Sequence, residues 1–144
     1  MKVAIGADHG AFDRKGEVIA HLIEAGHEVK DFGTYTPDSC DYPAIARSVA
    51  NAVASGEYDR GIVMCTTGIG ISIVANKVKG IRCALCSDVT SARLTRQHND
   101  ANMLSMGAGI IGPNLTMDIV DTFMNTEFSF EEKHVRRISQ IENV

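Results

Sequence analysis

Hydrophobic positions along the chain switch between two periods, close to 2 and close to 3.6, and the switches mark out its elements. Residues 2–7 form a short apolar run that predicts a strand, ended by Asp8-His9-Gly10. Phe12, Val18, Ile19, Leu22 and Ile23 then recur at helical spacing, and Gly26 stops that helix. Residues 27–32 predict a second, outer strand, with Val29 facing inward and His27 and Asp31 on the same parity. The stretch 33–41, rich in Thr, Pro, Asp and Ser, predicts a loop. Pro43 suits the first turn of a helix carrying Ile45, Val49 and Val53, which Gly56 ends. Residues 59–64 predict a third strand, 73–77 a helix and 80–86 a fourth strand. Asp88 can cap the next helix, which carries Ala92, Leu94 and Thr95 and ends near His98-Asn99-Asp100. Residues 102–106 predict a fifth strand. A helix starting near Pro113 carries Leu115, Ile119, Val120 and Phe123, and a polar break at 125–129 separates it from a last helix over 131–142.

Strands alternating with helices predict an α/β fold: a three-layer sandwich of a five-stranded parallel sheet with helices on both faces. The C-terminal helix is extra to that pattern. Val135, Ile138 and Ile141 lie near one side of it and its charges concentrate in Lys133-His134-Val135-Arg136-Arg137. Such a helix is expected to pack on something beyond its own sheet, and a second subunit is the natural candidate.

At 144 residues the chain fits one domain, 1–144. A net charge of −4 gives no wholesale attraction to nucleic acid or membrane, so an anionic substrate needs a local cluster of donors. No apolar run reaches membrane-spanning length, and the residues after Met1 lead straight into Asp8 without the pattern of a signal peptide. The expectation is a cytoplasmic protein. Of the four cysteines, Cys83 and Cys86 have redox-motif spacing but fall on a predicted strand, where residues three apart face opposite sides. Two small buried thiols are expected there. A zinc site is not, since no second Cys or His pair has ligand spacing.

The chemistry concentrates in Cys65-Thr66-Thr67-Gly68-Ile69-Gly70-Ile71-Ser72. A thiol stands there where an apolar strand ends and a glycine-bearing turn leads into a helix. Ligand crevices of open α/β sheets lie at the carboxyl ends of strands, and the first amides of a helix lack intrahelical partners and suit an anion. Two readings stand at this point: a tight turn with a buried cysteine, or a site in which Cys65 is nucleophile or base and the amides receive an oxyanion. Asp8 and His9 end the first strand, beside the third. For Asp8 the structural role is a helix N-cap, and for His9 a surface turn. His98 precedes the fifth strand, which should put it at the opposite edge of the sheet, outside the crevice unless a partner subunit supplies it. Its structural role would be at a helix C-terminus, where the dipole favours imidazole.

The chain resembles the type B ribose-5-phosphate isomerases, which form one sugar-phosphate isomerase family with the subunits of galactose-6-phosphate isomerase. The resemblance runs nearly end to end. It is carried by Ile5-Gly6-Ala7-Asp8-His9-Gly10, Asp31-Phe32-Gly33-Thr34, Asp41-Tyr42-Pro43, the run from Gly61 through Cys65 to Ser72, Ala75-Asn76-Lys77, Gly80-Ile81-Arg82 and Arg96-Gln97-His98-Asn99-Asp100-Ala101-Asn102. The resemblance implies a Rossmann-like sandwich and an aldose–ketose interconversion through an enediolate, with no cofactor and no metal. It implies Cys65 as the base moving a proton between C1 and C2, and Thr67 and His98 as assistants to opening of the furanose ring. It further implies an anion hole from the amides of Gly68, Ile69, Gly70 and on to Ser72. Asp8 would hold sugar hydroxyls, Asn99 would contact the sugar, and His9 with Arg137 would hold the phosphate. Tyr42, His98 and Asn99 favour the ribose enzymes over one galactose-6-phosphate subunit type, and Cys65 favours them over members without that cysteine. The family builds its site across a homodimer, with a tetramer as the larger assembly, which would bring His98 of one subunit to Cys65 of the other.

Three departures stand out against the resemblance. The family usually has glycine where this chain has Thr66, and a β-branched residue narrows the geometry of the turn. A second phosphate arginine is here Lys133, which keeps the charge and loses the bidentate fork, with Arg136 placed to compensate. Gly109 stands where members often carry an arginine that reaches the partner's phosphate site, so an arginine at 109 is expected to strengthen phosphate binding. Alternatives to the ribose reaction are isomerisation of a six-carbon phosphate, allose or galactose, and sugar-phosphate binding without catalysis.

Overall fold

The computed structural model describes all residues, Met1–Val144. Its elements are β1 (Lys2–Ala7), a 3₁₀ turn (His9–Ala11), α1 (Phe12–Glu24), β2 (Glu28–Asp31), α2 (Tyr42–Ala54), β3 (Arg60–Cys65), α3 (Ile69–Ala75), β4 (Cys83–Leu85), α4 (Val89–Asn99), β5 (Met103–Gly107), α5 (Pro113–Asn125) and α6 (Glu132–Glu142). The five strands form one parallel sheet in the order β2-β1-β3-β5-β4. The α/β fold with helices on both faces follows the hydrophobic pattern, and β2 is the edge strand its weak alternation predicts.

Strand alternation sorts the core into two layers. Val3, Ile5, Ile62, Met64, Leu104 and Met106 face α1, α4 and α5, where Val18, Leu22, Ala92 and Phe123 complete one cluster. Ala4, Val63, Cys65 and Met103 face α2 and α3, with Val49, Val53 and Ile71. Full burial of an aliphatic or Phe side chain stabilises by about 1.5–3 kcal/mol, so both layers hold the strand ends in place. Gly6 lets α2 close on the sheet, since a Cβ there would come within 2.7 Å of Ile45 Cγ2 and 2.9 Å of Val49 Cγ2.

Three features differ from the expectations. First, β5 inserts between β3 and β4 rather than lying at the edge. His98, near the end of α4, is therefore not at the opposite edge of the sheet. It lies at the amino-terminal end of the strands, because α4 runs back antiparallel to β4 before β5 begins. Second, α3 begins at Ile69, four residues before the predicted start. Gly68 takes the left-handed conformation (φ +77°) and completes the reversal within three residues of Cys65, which leaves Gly70 free to be helical. Third, α6 turns a different face to the subunit. His134 is buried, with Ile138 and Glu142 partly so, while Val135 and Ile141 stay exposed. The buried stripe steps by four residues along one side of the helix, and two of its three members are polar, which hides it from a hydrophobicity pattern.

Candidate active site

The carboxyl ends of β1, β3 and β5 converge on one crevice. In register, Ala7 pairs with Met64 and Cys65 with Gly107. The Asp8 N–H donates to Met64 O (3.3 Å) and the Ala108 N–H to Cys65 O (3.0 Å), so the turns after all three strands are tied to one another. Cys65 is a free, buried thiol on the α2–α3 side of the sheet. The Gly68 N–H donates to Cys65 Sγ at 3.1 Å, an interaction that a thiolate accepts more strongly than a thiol.

Beyond the sulfur the turn offers donors. The Ile69 N–H is taken by Thr67 Oγ1 (3.2 Å) and the Ser72 N–H by Gly68 O (3.3 Å). The N–H groups of Gly70 and Ile71 make no hydrogen bond within the chain. Of the five amides expected to receive an oxyanion, these two are therefore the free ones, and the other three are occupied by Cys65, Thr67 and the first turn of α3. The Ser72 hydroxyl itself donates to Ile69 O (2.7 Å) and is buried in the turn. Tyr42, at the start of α2, lays its hydroxyl directly over Gly70, where any Cβ would collide with it.

Asp8 and His9 line the same crevice. The buried Asp8 carboxylate accepts from the Gly10 N–H (2.9 Å), which makes it the N-cap of the 3₁₀ turn as well as a candidate ligand. His9 Nδ1 accepts from the Cys40 N–H (3.2 Å), so in the neutral ring Nε2 carries the proton and is a donor. Lys15, only 3% exposed, braces this side: its ammonium binds both oxygens of Asp31 (2.8 and 2.9 Å) and Thr34 O, holding down the start of the 32–41 segment that carries Cys40.

Thr66 and Gly109 prove to be neighbours. The Gly109 N–H donates to Thr66 O (2.8 Å), and a Cβ on Gly109 would meet Thr66 Cγ2 at 2.9 Å and Thr66 O at 3.0 Å. A side chain at 109 would thus crowd the subunit's own Thr66, which must shift to admit it. Thr66 also abuts Gly10, so its side chain fills the space between the turns after β1 and β5.

The remaining predicted residues are not in this crevice. His98 and Asn99 end α4 at the far pole of the sheet, and Lys133 and Arg137 stand on α6 beside them. Arg96, 3% exposed, shapes that corner by donating to Asp100 Oδ1 (2.8 Å), Ala101 O (2.6 Å) and Thr126 O (3.0 Å). Arg82 ties α6 to it, bonding Glu142 (2.5 Å), Asn99 O (2.9 Å) and Asp100 O (2.9 Å). On α6, Arg136 is engaged by both carboxylate oxygens of Glu132 (2.9 and 3.0 Å) rather than standing free to compensate for Lys133, which itself lies 3.5 Å from Glu131. Arg137 makes no ion pair.

Two further residues escape a sequence reading. Ser105 is wholly buried in β5, and its hydroxyl donates to Gly68 O at 2.7 Å, locking the turn after Cys65. Its only signal is a hydroxyl in an otherwise apolar strand. Gly107 is required because a Cβ there would enter the backbone of Thr67, 2.5 Å from its carbonyl carbon. Cys83 opens β4 and Cys86 follows its end, and they pack into the two core layers on opposite sides of the sheet, Cys86 buried and Cys83 half-buried rather than both buried as expected. Burial pushes their thiols up to about 12 and about 11, which keeps both protonated.

Comparison with known proteins agrees with this architecture. Residues 3–141 match the family model for ribose/galactose isomerases. Ribose-5-phosphate isomerase B of Escherichia coli is 47% identical over 140 residues, covering 97% of this chain and 93% of its own. The solved structure of Clostridium thermocellum ribose-5-phosphate isomerase B superposes with a TM-score of 0.97 at 50% identity, over 99% of this chain and 96% of that one. A Thermotoga maritima ribose 5-phosphate isomerase superposes with a TM-score of 0.96 at 47% identity, over 99% and 98%. With the fold and nearly the whole length in agreement, the chain belongs to the ribose/galactose isomerase family.

Proposed function

We propose that residues 1–144 act as one aldose–ketose isomerase domain interconverting ribose 5-phosphate and ribulose 5-phosphate, in the cytoplasm. The observation that carries this reading is the pairing of a thiol at the end of β3 with two free backbone amides, Gly70 and Ile71, on the turn that follows. A base beside preorganised donors is what proton abstraction next to a carbonyl requires. In the open-chain sugar the Cys65 thiolate removes the proton on C2, the C1 oxygen takes up negative charge against the free amides, and return of that proton to C1 with transfer of the C2 hydroxyl proton to the C1 oxygen yields the ketose and regenerates the thiolate. Asp8 and Tyr42 hold sugar hydroxyls, Thr67 and His98 move protons during ring opening, and Asn99 contacts the sugar. His9 Nε2–H, Lys133 and Arg137 hold the phosphate.

Cys65 and His98 lie at opposite poles of one sheet, so this chemistry needs a second copy. We assign the working unit as a homodimer, with a tetramer as a pair of such dimers, in which each site joins Cys65 of one subunit to the partner subunit's His98, Asn99, Lys133 and Arg137. Exposed apolar residues on α3 (Ile69, Ile73) and on α6 (Val135, Ile141) support such a contact.

The test has two arms. A coupled assay over five- and six-carbon aldose phosphates should give the fastest turnover with ribose 5-phosphate. Binding of these sugars without turnover of any would leave a sugar-phosphate binding protein instead. Mixing and exchanging Cys65→Ala and His98→Ala subunits should then restore roughly one quarter of wild-type activity, because half the dimers are mixed and each holds one intact site. Mixtures as inactive as either parent would rule out the shared site.

A further inference from the structure

α6 buries one residue, His134, and its ring lies on the ring of His98. The ring centroids are 4.4 Å apart and the planes differ by 16°, a face-to-face stack at the short end of aromatic contact distances. Neither imidazole makes a hydrogen bond within the chain, so the stack is the one directional contact that sets the plane of His98. The helix bringing His134 there is itself fastened to the end of α4 from two sides. The Ser129 N–H, in the segment leading into α6, donates to Gln97 O (3.2 Å), and Arg82 joins Glu142 near the other end to Asn99 O and Asp100 O. His134 is thus held at a fixed height over His98 by a clamp that does not involve either ring.

We propose that His134 is a positioning residue for the isomerase reaction, its ring holding the His98 imidazole in the plane from which its nitrogens exchange protons with the sugar. This rests on the reading above that His98 takes part in ring opening. An imidazole free to rotate must be reoriented at each turnover, and orientation is a substantial part of what an enzyme supplies.

The experiment uses His134→Ala, which removes the ring, and His134→Phe, which keeps a flat ring and removes its nitrogens. With ribose 5-phosphate, His134→Ala should lower kcat by about tenfold or more with KM within about twofold, while His134→Phe should stay within about twofold of wild type in both. The double variant His98→Ala/His134→Ala should be no slower than His98→Ala, because a ring that acts only through His98 has nothing left to position. NMR of the His98 ring protons gives a readout independent of turnover: the upfield displacement from a stacked ring should persist in His134→Phe and vanish in His134→Ala. Equal damage from Phe and Ala, or additive losses in the double variant, would overturn the proposal while leaving His98 in place. A His98→Ala enzyme as fast as wild type would instead remove His98 from the reaction, and the proposal with it. Should His134→Ala fail to fold, the Phe variant decides alone, since loss of its activity or of the displaced signals refutes the stack.

Discussion

The thiol half of the proposed site and the imidazole half are built from different materials. Around Cys65 the positions are set by backbone: strand register, the Ala108 and Gly109 amides donating to Cys65 O and Thr66 O, the Ser105 hydroxyl on Gly68 O, and Gly107 pressed against the Thr67 backbone. Around His98 the positions are set by side chains: Arg82, Arg96 and the His98–His134 stack. The first half cannot move without breaking the sheet. The second can loosen while the sheet stays intact, because α6 has only a thin buried stripe and is fastened by a few polar contacts. Local stability follows the number of buried apolar contacts, so one fold carries a stiff end around Cys65 and a softer end around His98. Changes at the first should read out in kcat, and changes to the α6 cations of the second in KM, with His134 the one α6 residue expected to read out in kcat, through His98.

The largest effect should come from the thiol. Cys65→Ser keeps the shape of the turn and replaces the thiol with a far weaker acid. kcat is expected to fall by about 10²–10⁴-fold, the usual worth of a positioned acid–base group, with KM little changed. Near-wild-type turnover would eliminate Cys65 as the base. Because Cys65 Sγ also receives the Gly68 N–H, a melting curve of the variant checks that the turn has survived.

An intermediate effect is expected from α6. Arg137 is the α6 cation without an acidic partner, whereas Arg136 is held by Glu132 and Lys133 sits beside Glu131. A charge-assisted bond to phosphate contributes roughly 1.5–3 kcal/mol, so Arg137→Ala should raise KM for ribose 5-phosphate by at least about tenfold, with a smaller change in kcat. Measurement at fixed salt matters, since exposed charges are screened. An unchanged KM would place the phosphate elsewhere. The companion substitution Gly109→Arg is expected to weaken binding or stability rather than improve either, because Thr66 occupies the space.

The contrast between the halves is also a contrast in what a sequence reveals. The strands, the capping by Asp88, the start of α2 at Pro43 and the edge position of β2 all follow from local pattern, since period and capping chemistry are local properties. So does the placing of Cys65 and Asp8 at strand ends. Sheet order does not, because β4 and β5 carry similar apolar runs and nothing in either says which inserts beside β3. The start of α3 was hidden by Gly68 and Gly70, two glycines with different jobs: one turns left-handed, the other is helical and makes room for the Tyr42 hydroxyl. The packed face of α6 was hidden because its contacts are those of His134 and Glu142, which a hydrophobic stripe does not register. Thr66 and Gly109 each look like an isolated departure until the fold sets them side by side.

The smallest expected effect concerns acid, and it bears on the softer half. Burial, followed by the neighbouring charge on His98, holds the His134 imidazole below its ordinary value of 6.5; Lys133 and Arg137 push the same way and Glu131 opposes them. A histidine depressed in the folded state binds fewer protons there than when unfolded, so stability rises with pH through that window and is lost as pH falls below 6.5 toward the folded value. His27 is depressed as well, chiefly by burial and then by the N-terminal amine, so part of the acid slope belongs to the β2 edge. The melting temperature should therefore decline below pH 6.5, and His134→Phe should flatten part of that decline but not all of it. Hydrogen exchange should locate the difference, with α6 amides losing protection in acid before those of β1, β3 and β5. An acid slope identical in wild type and His134→Phe would mean that His134 is free to charge in the folded state.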